Sequence, residues 1–595
     1  MEIKYRKNRY LLLFYLINLL YFLIYFIFYK ISTLKELIFY LNIFDILYFT
    51  FFLILDLERY FYIKENFKDY DFLNRIKSFI YGNYLIYLLI FVFTVFFRYF
   101  INWSFQYSQI KNNLIFYDFV LILKQIFLVI LFLIIRNKYK KYFKYLKLKT
   151  DQIIVIGFIL VIFLGGVLLF QKFSINTKDI SFLDALFMST SAVCVTGLSV
   201  KSVAYDFNLI GKIVFLFLMQ IGGLGIMFLY AAILNLVPSK FSLKSYFYTK
   251  EAFDVSIHKV SVESIFRFIF IYTFFIEFIG VVLFFMRFFY IYKDIMLSLK
   301  FAIFHSISAF CNAGLSLFPN SFENFKGDIY LNLILIFLIT MGGIGFYTGY
   351  DIYRVAMNRL NLRYGKKYKN KIYLTSQSKM VIYIYLILNI LGFFSFYLLE
   401  RDNSLVNLSL KEKILVSILH PVSARTAGFN SINLSLLKPS TLLILCVLMF
   451  IGTASGSTGG GIKVSTFGVI ILTFLSYIKN NDIIKFGKYR RIRNITIRKA
   501  FSLFFLQISL IFFWIIILTN LEKFKEINII FEVFSAFGTV GLSTGITFKL
   551  SDISKIFIIV AMFIGRISPL TLASAISREK EKIPVYYPPA DISIG

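Results

Sequence analysis

Long apolar runs recur along the whole chain, and short polar or basic segments separate them. A helix needs about 20 apolar residues to cross a bilayer. Four runs of that kind come first, at Tyr10–Tyr29, Leu37–Leu57, Tyr84–Phe100 and Leu114–Ile135. The first run is too long for a cleaved secretion signal. The pattern predicts an amino-terminal extension, residues 1–150, with about four transmembrane helices.

From residue 151 onward the apolar pattern becomes periodic. Each period holds an apolar span, a shorter apolar segment that ends in a glycine loop, and a second span. The loops align on Gly197, Gly314, Gly428 and Gly541, which are 117, 114 and 113 residues apart. Self-similarity at a fixed period is typical of a repeated architecture. It predicts four pore units, residues 151–250, 251–365, 366–485 and 486–595.

The intermediate segments are too short to cross a membrane and are of a length that suits re-entrant helices. They are Phe182–Val193, Ala302–Phe310, Lys413–Ser423 and Ile530–Phe537. Each unit then crosses twice, so the connectors between units all lie on one side. Lys and Arg crowd residues 361–379 and 479–499, which places the connectors and the amino terminus in the cytoplasm. The fold class predicted is an all-α polytopic membrane protein, with four helix–re-entrant pore helix–helix units around a central pore.

Composition agrees with this topology and excludes several classes of function. Of the 595 residues 59% are hydrophobic and only 16% charged, against about 25% charged in soluble domains. The net charge of +32 would suggest nucleic acid on a soluble protein, but here the basic connectors account for it and no nucleic-acid partner is expected. The three cysteines and three histidines are scattered, and no hydrolase or metalloenzyme motif appears. We therefore expect neither an enzyme, including one that acts on lipid, nor a bound cofactor.

Four glycine loops at one period favour an ion path. Non-helical backbone is tolerated at membrane depth only where protein or a watery cavity satisfies it. Loops around one axis can turn their carbonyl groups inward and replace an ion's hydration shell, and glycine permits the backbone angles that this requires. The re-entrant helices would aim their partly negative carboxyl ends at the axis, which favours a cation.

The loop sequences resemble the selectivity filters of the Trk/Ktr/HKT superfamily, the membrane subunits of potassium transporters. The matching segments are Thr196–Leu198, Phe304–Gly314, Ser423–Phe429 and Ser535–Gly545. The resemblance covers about residues 151–595 and is closest to the KtrB/TrkH type, because the tail from Lys582 is similar to the Ktr branch. The four amino-terminal spans depart from the shared core of the superfamily, in which Trk-type members add two.

The resemblance implies that backbone carbonyls just before each glycine hold the transported ion. The implied filter residues are Val195, Thr196, Gly197, Asn312, Ala313, Gly314, Thr426, Ala427, Gly428, Thr539, Val540 and Gly541. A glycine in every loop is associated with potassium in this superfamily, so potassium is the expected ion. A sodium or poorly selective monovalent cation pathway is the alternative.

Small residues interrupt the second span of the third unit from Ile451 to Gly461, and such a composition holds a helix poorly. The segment resembles the intramembrane gating loop of the superfamily, here residues 452–464; a surface loop is the alternative. Arg566 lies within the last span, where a charge is costly and indicates function, and we expect it near the loop as an electrostatic barrier. The implied gate residues are Gly452, Gly456, Gly459, Gly460, Gly461, Lys463 and Arg566.

Two further glycine clusters, Gln220–Gly225 and Met341–Gly345, lie within the second spans of the first two units. They match a phosphate-binding loop weakly and follow no strand, so close helix packing is the preferred interpretation. We find no soluble regulatory domain in the sequence. The resemblance therefore implies a homodimer in the inner (cytoplasmic) membrane, surrounded by lipid, and a separate cytosolic nucleotide-binding subunit of the RCK type docked on the basic connectors.

Overall fold

The computed structural model describes residues 150–236 except 173 and 177–179, residues 262–363, and residues 372–567 except 482 and 487–489. The described residues belong to one compact unit, Leu123–Gly595. The predicted amino-terminal spans and the carboxyl-terminal tail lie outside them. The predicted boundaries of the four pore units also stay predictions, since two of them fall in the gaps.

The described chain is almost entirely helical. In chain order the helices are α1 Thr150–Phe170, α2 Phe182–Val193, α3 Leu209–Leu236, α4 Val262–Tyr292, α5 Ile295–Cys311, α6 Ile329–Gly343, α7 Phe346–Arg363, α8 Ser376–Glu400, α9 Leu410–Ala424, α10 Pro439–Phe450, α11 Val464–Ile478, α12 Asn494–Leu521, α13 Glu526–Gly538 and α14 Asp552–Ile567. A two-stranded antiparallel ribbon, β1 Lys485–Phe486 and β2 Arg490–Arg491, joins α11 to α12. Single 3₁₀ turns lie after α5, α9 and α13, at Glu323–Phe325, Leu434–Leu436 and Thr547–Lys549.

The helices fall into four groups with one order: a long helix, a short helix and a further helix or broken pair. We call α1–α3, α4–α7, α8–α11 and α12–α14 groups 1 to 4. The short helices α2, α5, α9 and α13 correspond to the segments predicted to be re-entrant. Helix α5 begins at Ile295 rather than Ala302, because Asp294 caps the backbone N–H of Leu297 and lets the helix start earlier.

The last helix of a group is interrupted in three of the four groups. Within α3, Gly225 takes φ 55° and ψ −140° and kinks the helix. Helices α6 and α7 meet at Gly345, which has φ 90°, with a bend of 97°. Residues 451–463 separate α10 from α11. The sequence predicted an interruption only in the third group; in the first two, the last glycine of the cluster adopts the left-handed backbone that other residues rarely enter.

Three described helices are long and apolar enough to cross a membrane, at Arg267–Tyr292, Ser376–Glu400 and Asn494–Leu521. They are the first helices of groups 2, 3 and 4. The bent pair α6 and α7 adds a fourth if it counts as one span. The sequence predicted two spans in every unit. The breaks at Gly225 and at residues 451–463 leave the apolar parts of α3, α10 and α11 below that length, whereas α1 begins and α14 ends at the edge of the described residues.

The short helices form the centre, and the long helices surround them. Phe187, Val416 and Phe531 on the short helices are 0% exposed. On α4, Phe278 is 66% exposed, and on α12 Ile516 is 60% exposed. Because lipid accepts apolar side chains and cannot satisfy free backbone groups, this arrangement leaves the outside apolar and encloses within protein the irregular backbone that follows the short helices.

Candidate functional site

The loops that follow the four short helices share one unusual backbone. In each loop the glycine on which the sequences align is left-handed, and so is the residue two positions before it. Their φ angles are 56° for Val195, 93° for Gly197, 59° for Asn312, 66° for Gly314, 77° for Thr426, 79° for Gly428, 49° for Thr539 and 94° for Gly541. A left-handed residue other than glycine costs about 1–3 kcal/mol, which marks a loop whose surroundings impose its shape. The same strain at the same position in all four loops indicates one common purpose.

The four glycines, which we call the ring glycines, lie edge to edge. A Cβ placed on any of them would strike the carbonyl oxygen of the residue that precedes the next ring glycine. At Gly197 the gap to the Ala313 oxygen would be 2.6 Å, and at Gly314 the gap to the Ala427 oxygen would be 2.7 Å. A Cβ on Gly428 or Gly541 would come closer still to the oxygens of Val540 and Thr196. The last contact returns to the first loop, so the four loops form a closed ring.

A serine of each short helix braces the loop that follows it. Ser191 and Ser535 accept hydrogen bonds from the backbone N–H of their ring glycines, Gly197 and Gly541, both at 3.0 Å. In groups 2 and 3 the direction is reversed: Ser308 donates to the carbonyl of Leu315 at 2.7 Å and Ser423 donates to that of Phe429 at 2.6 Å. These serines were not predicted from the sequence, although a Ser-Ala pair opens the motif in every unit.

The residues predicted to form the filter are therefore brought together. All eight that precede the ring glycines are fully buried: Val195, Thr196, Asn312, Ala313, Thr426, Ala427, Thr539 and Val540. No charged side chain belongs to this set, so the ring offers an ion only backbone and uncharged oxygens. Such a site suits a cation that exchanges its water for carbonyl groups.

Loop 451–463 lies directly against one side of this ring. Asn312 Nδ2 donates to Thr458 Oγ1 at 3.1 Å. Gly459 and Gly460 abut the hydroxyl oxygens of Thr426 and Thr539, so closely that a Cβ on either glycine would overlap them. Three consecutive loop residues thus touch the corresponding residues of groups 2, 3 and 4.

Backbone hydrogen bonds attach the loop to the break in group 2. Ala454 N–H donates to the carbonyl of Gly343 at 3.1 Å, and Phe346 N–H donates to that of Gly456 at 2.9 Å. The loop's two ends meet at an isolated parallel bridge between Ile451 and Ile462. In this structure these contacts hold the segment in which the sequence predicted an interruption of the helix.

Two cationic side chains donate hydrogen bonds to backbone carbonyls of the loop. Lys463 Nζ donates to the carbonyl of Gly459 at 2.8 Å. Arg566 donates through Nη1 to the carbonyl of Thr458 and through Nη2 to that of Gly222 in α3. Arg566 therefore joins the middle of the loop to group 1, the one group whose loop does not touch residues 458–460 in the contacts above. A cavity of about 50 Å³ beside the loop is lined in part by Lys463, Gln507 and Arg566 and has room for a few water molecules.

The remaining predicted gate residues lie in the same loop. Gly456 and Gly461 both have φ 68°, which supplies the turns at its middle and its end. Gly452 faces the Gly460 carbonyl across the bridge.

The two glycine clusters of α3 and α6 serve packing as well as the breaks. A Cβ on Gly222 would strike the Val193 carbonyl, and one on Gly342 would strike the Phe310 carbonyl. These carbonyls are at the carboxyl ends of α2 and α5. Small residues at these points let the last helix of each group approach the end of its short helix, as close helix packing requires.

Two buried ionisable residues close to the ring were not predicted from the sequence. Glu532 on α13 is 1% exposed and accepts hydrogen bonds from Ser543, at 2.9 Å, and from Thr547. Arg425, three residues before a ring glycine, is fully buried. One feature of the sequence could have indicated Arg425. It is a charged residue at a position of the loop motif that is uncharged in the other three copies.

Comparison with known proteins adds an independent line of evidence. Residues 122–585 match a family described as "TrkH: Cation transport protein". The match begins within the last predicted amino-terminal span, upstream of the region where the sequence resemblance was seen.

Curated relatives match over most of their length. Ktr system potassium uptake protein B of Bacillus subtilis is 34% identical over 457 residues, which cover 76% of this chain and 99% of that protein. Ktr system potassium uptake protein B of Vibrio alginolyticus is 35% identical, covering 75% of this chain and 94% of that protein. Potassium/sodium uptake protein NtpJ of Enterococcus hirae is 33% identical, and the match covers 76% of this chain and 98% of that protein.

A solved structure shares the fold. The crystal structure of the potassium transporter TrkH from Vibrio parahaemolyticus superposes with a TM-score of 0.58 and 18% sequence identity, covering 82% of this chain and 97% of that one. The resemblance noted in the sequence is thereby confirmed, and the family is one of membrane transporters and not of enzymes. The chain belongs to the TrkH family of cation transport proteins.

Proposed function

We propose that the protein carries potassium ions into the cell across the cytoplasmic membrane, through a filter formed by the carbonyl groups around the ring glycines. The observation that carries the proposal is the closed ring, in which every glycine abuts the carbonyl of the next group. A ring of carbonyls at the ends of four converging helices replaces the water of a cation without a carboxylate. The names of the relatives, potassium uptake proteins, support the choice of ion.

The architecture that this function needs is a pore on a pseudo-fourfold axis. We take groups 1 to 4 as four pore units with re-entrant short helices, and residues 1–150 as an extension with about four further transmembrane helices. The amino terminus and the basic connectors face the cytoplasm. The shared order of helices and the recurrence of one loop backbone support this arrangement.

Loop 451–463 is the proposed gate, and Arg566 is the proposed electrostatic barrier beneath the filter. Thr458, Gly459 and Gly460 lie across the approach to the ring, which supports a closed state in which the loop fills the path. Moving this loop away from the ring would break the hydrogen bond that Arg566 donates to the Thr458 carbonyl, which joins the loop to another helix. Lys463 belongs to the loop itself and donates to the carbonyls of Gly459 and Gly460 at 2.8 and 3.5 Å. All of these acceptors are neutral, so no ion pair has to break.

The second candidate is a sodium or poorly selective monovalent cation pathway. The relative from Enterococcus hirae is named for both potassium and sodium. The names of the relatives therefore do not point to a single ion. Glycine at all four ring positions favours potassium, by the resemblance stated above.

For partners we propose a homodimer within the membrane and a cytosolic nucleotide-binding subunit of the RCK type. The basic connector at residues 479–499 and its exposed arginines Arg490 and Arg491 offer a docking surface of suitable charge. A native mass measurement of the protein purified with its cytosolic partner would give both stoichiometries.

The deciding experiment is complementation of a bacterium that lacks its own potassium uptake, with the cytosolic partner supplied. We expect growth on low potassium from the wild type and from Gly349→Ala, whose added Cβ would have ordinary contact distances. Gly428→Ala should not rescue growth. Failure of the wild type to rescue would contradict potassium uptake, and rubidium against sodium flux in proteoliposomes would then test the second candidate.

A further inference from the structure

The third group joins its short helix to its last helix in a way that the other groups do not share. In groups 1, 2 and 4 a glycine of the last helix packs directly beneath the carbonyl oxygen that lies four residues before the ring glycine. The pairs are Gly222 with Val193, Gly342 with Phe310 and Gly565 with Phe537. Each is a contact of backbone against backbone, which no side-chain rotation can release.

In group 3 the glycine at the corresponding place, Gly452, makes no such contact. Its own neighbours are Gly460 and Gly461, at the far end of loop 451–463. The link to the short helix is a side chain: Arg425 Nη2 donates to the Gly452 carbonyl at 2.7 Å. The other groups have Cys194, Cys311 and Gly538 at the position of Arg425, three residues before the ring glycine. Group 3 thus has a single side-chain hydrogen bond where the other groups have a backbone contact. It is also the group in which loop 451–463 interrupts the last helix.

The surroundings of Arg425 are unusual for a cation. Its side chain is fully buried, Nη1 donates to the Tyr385 carbonyl at 3.2 Å, and the guanidinium carbon lies 3.9 Å from the centre of the Tyr385 ring. Its Nε has no partner, and within the described ranges no carboxylate lies at ion-pair distance. A buried charge without a counter-ion is costly to stability, and inside a membrane such a residue indicates function.

We propose that Arg425 is the positioning residue that ties the neck of loop 451–463, residues Ile451 and Gly452, to the third filter loop. The proposal rests on the assignment of this loop as the gate. Arg566, on another helix, holds the middle of the loop at Thr458. In addition to its backbone hydrogen bonds to group 2, the loop is therefore held by two arginines, and each of these two bonds ends on a backbone carbonyl that can exchange it for water.

The position of Arg425 also links gate and filter mechanically. It directly precedes Thr426, whose left-handed backbone shapes the third filter loop and whose hydroxyl touches Gly459. A neck that moves away from Arg425 removes the support behind this residue. Release of the gate and a change at the third filter loop are consequently one event.

The test uses the full-length protein in proteoliposomes, with Arg425→Gln and Arg425→Lys compared with wild type. The matched control is Arg287→Gln, because Arg287 also packs on aromatic rings and makes a short polar contact, with Asp328 at 2.7 Å, but belongs to the outer helix α4. Hydrogen exchange of the backbone amides of residues 451–463 reports the tether. Rubidium uptake, as a maximal rate and a KM, reports the gate, and the rubidium-to-sodium ratio reports the filter.

In Arg425→Gln we expect the amides of the loop to exchange about tenfold faster, the order set by the loss of one charged hydrogen bond. The maximal rate of uptake should rise while KM stays within about twofold, a split that a merely structural defect would not give. Arg425→Lys keeps the charge and a donor group but loses the planar fork that reaches two carbonyls, so its effects should be in the same direction and smaller. Arg287→Gln should leave the exchange of the loop unchanged.

Unchanged exchange of residues 451–463 in a folded Arg425→Gln protein would overturn the tether. If that variant does not fold, Arg425→Lys decides the question by the same measurement. A fall in maximal rate together with a collapsed rubidium-to-sodium ratio would also overturn it, since Arg425 would then only support the filter. Faster exchange with unchanged uptake in both Arg425→Gln and Arg566→Gln would leave the tether intact and refute the gate itself.

Discussion

The ring of loops around the four ring glycines and loop 451–463 are neighbours, yet they are held in different ways. The ring is built four times from one pattern, and its parts meet backbone to backbone with no space for a Cβ. The loop occurs once, and hydrogen bonds hold it: side-chain bonds from Asn312, Arg425 and Arg566, the bond of its own Lys463 to Gly459, and backbone bonds to group 2. Repetition with direct contact gives a structure that cannot adjust without strain. Separate hydrogen bonds, each of which water can replace, give a structure that can be released.

The largest effect should come from Gly428→Ala. An added Cβ would collide with the Val540 carbonyl, at a residue that is already left-handed, and overpacking alone costs about 1–3 kcal/mol. We expect rubidium uptake to fall by about tenfold or more, with loss of the preference for rubidium over sodium, measured in proteoliposomes. Gly349→Ala is the control. Retained selectivity in Gly428→Ala would mean that the contact at the ring is not tight.

Arg566→Gln should act in the opposite direction. Removing the charge and one of two carbonyl contacts weakens both the barrier and the hold on Thr458, so cation flux should rise several-fold or lose its regulation. The measurement is the initial rate of rubidium uptake with and without the cytosolic partner. Uptake kinetics equal to those of wild type would refute a role for Arg566 at the gate.

Ser535→Ala should give a moderate effect that is confined to the filter. The variant leaves the N–H of Gly541 without its acceptor, at a cost of about 1 kcal/mol. A change of this size in one loop should lower the rubidium-to-sodium ratio by about fivefold. Ser509→Ala, which removes an exposed hydroxyl on α12, serves as the control, and an equal loss of selectivity there would show that the effect is not local to the ring.

The smallest effect should come from Asp184→Asn. Asp184 on α2 pairs with Lys555 on α14 at 2.8 Å and so links groups 1 and 4 outside the ring. A partly exposed pair is worth about 0.5–1 kcal/mol, so the Tm should fall by about 1–2 °C with unchanged ion preference. Asp402→Asn, at a pair that is far more exposed, should not move the Tm. Altered selectivity in Asp184→Asn would show that the ring depends on links at its periphery.

The features that the sequence predicted best are those that recur in all four groups. The four glycines and the short helices before them were visible as a period, because each copy must meet the same geometric requirement. The left-handed state of Val195, Thr426 and Thr539 was not foreseeable, since β-branched residues disfavour it and only the contacts of the closed ring enforce it. Tertiary contacts decide the backbone there, and no local pattern records them.

Features that depend on contacts distant in the sequence were predicted least well. The breaks at Gly225 and Gly345 depend on which glycine of a cluster turns left-handed, and composition alone does not distinguish them from glycines that only permit packing. Arg425 escaped notice because its partners, Tyr385 and Gly452, are about 40 and 27 residues away along the chain. A single charged residue acquires meaning only when the fold brings those carbonyls to it.

The closing contact of the ring has a consequence for how the protein is made. Gly541 meets Thr196 across almost the whole length of the pore domain, and the chain is synthesised from the other end. A nascent chain that has inserted three groups holds three quarters of the ring with an open side. The last group supplies both missing contacts, of Gly428 with Val540 and of Gly541 with Thr196. The ring can therefore close only after the last group has been synthesised.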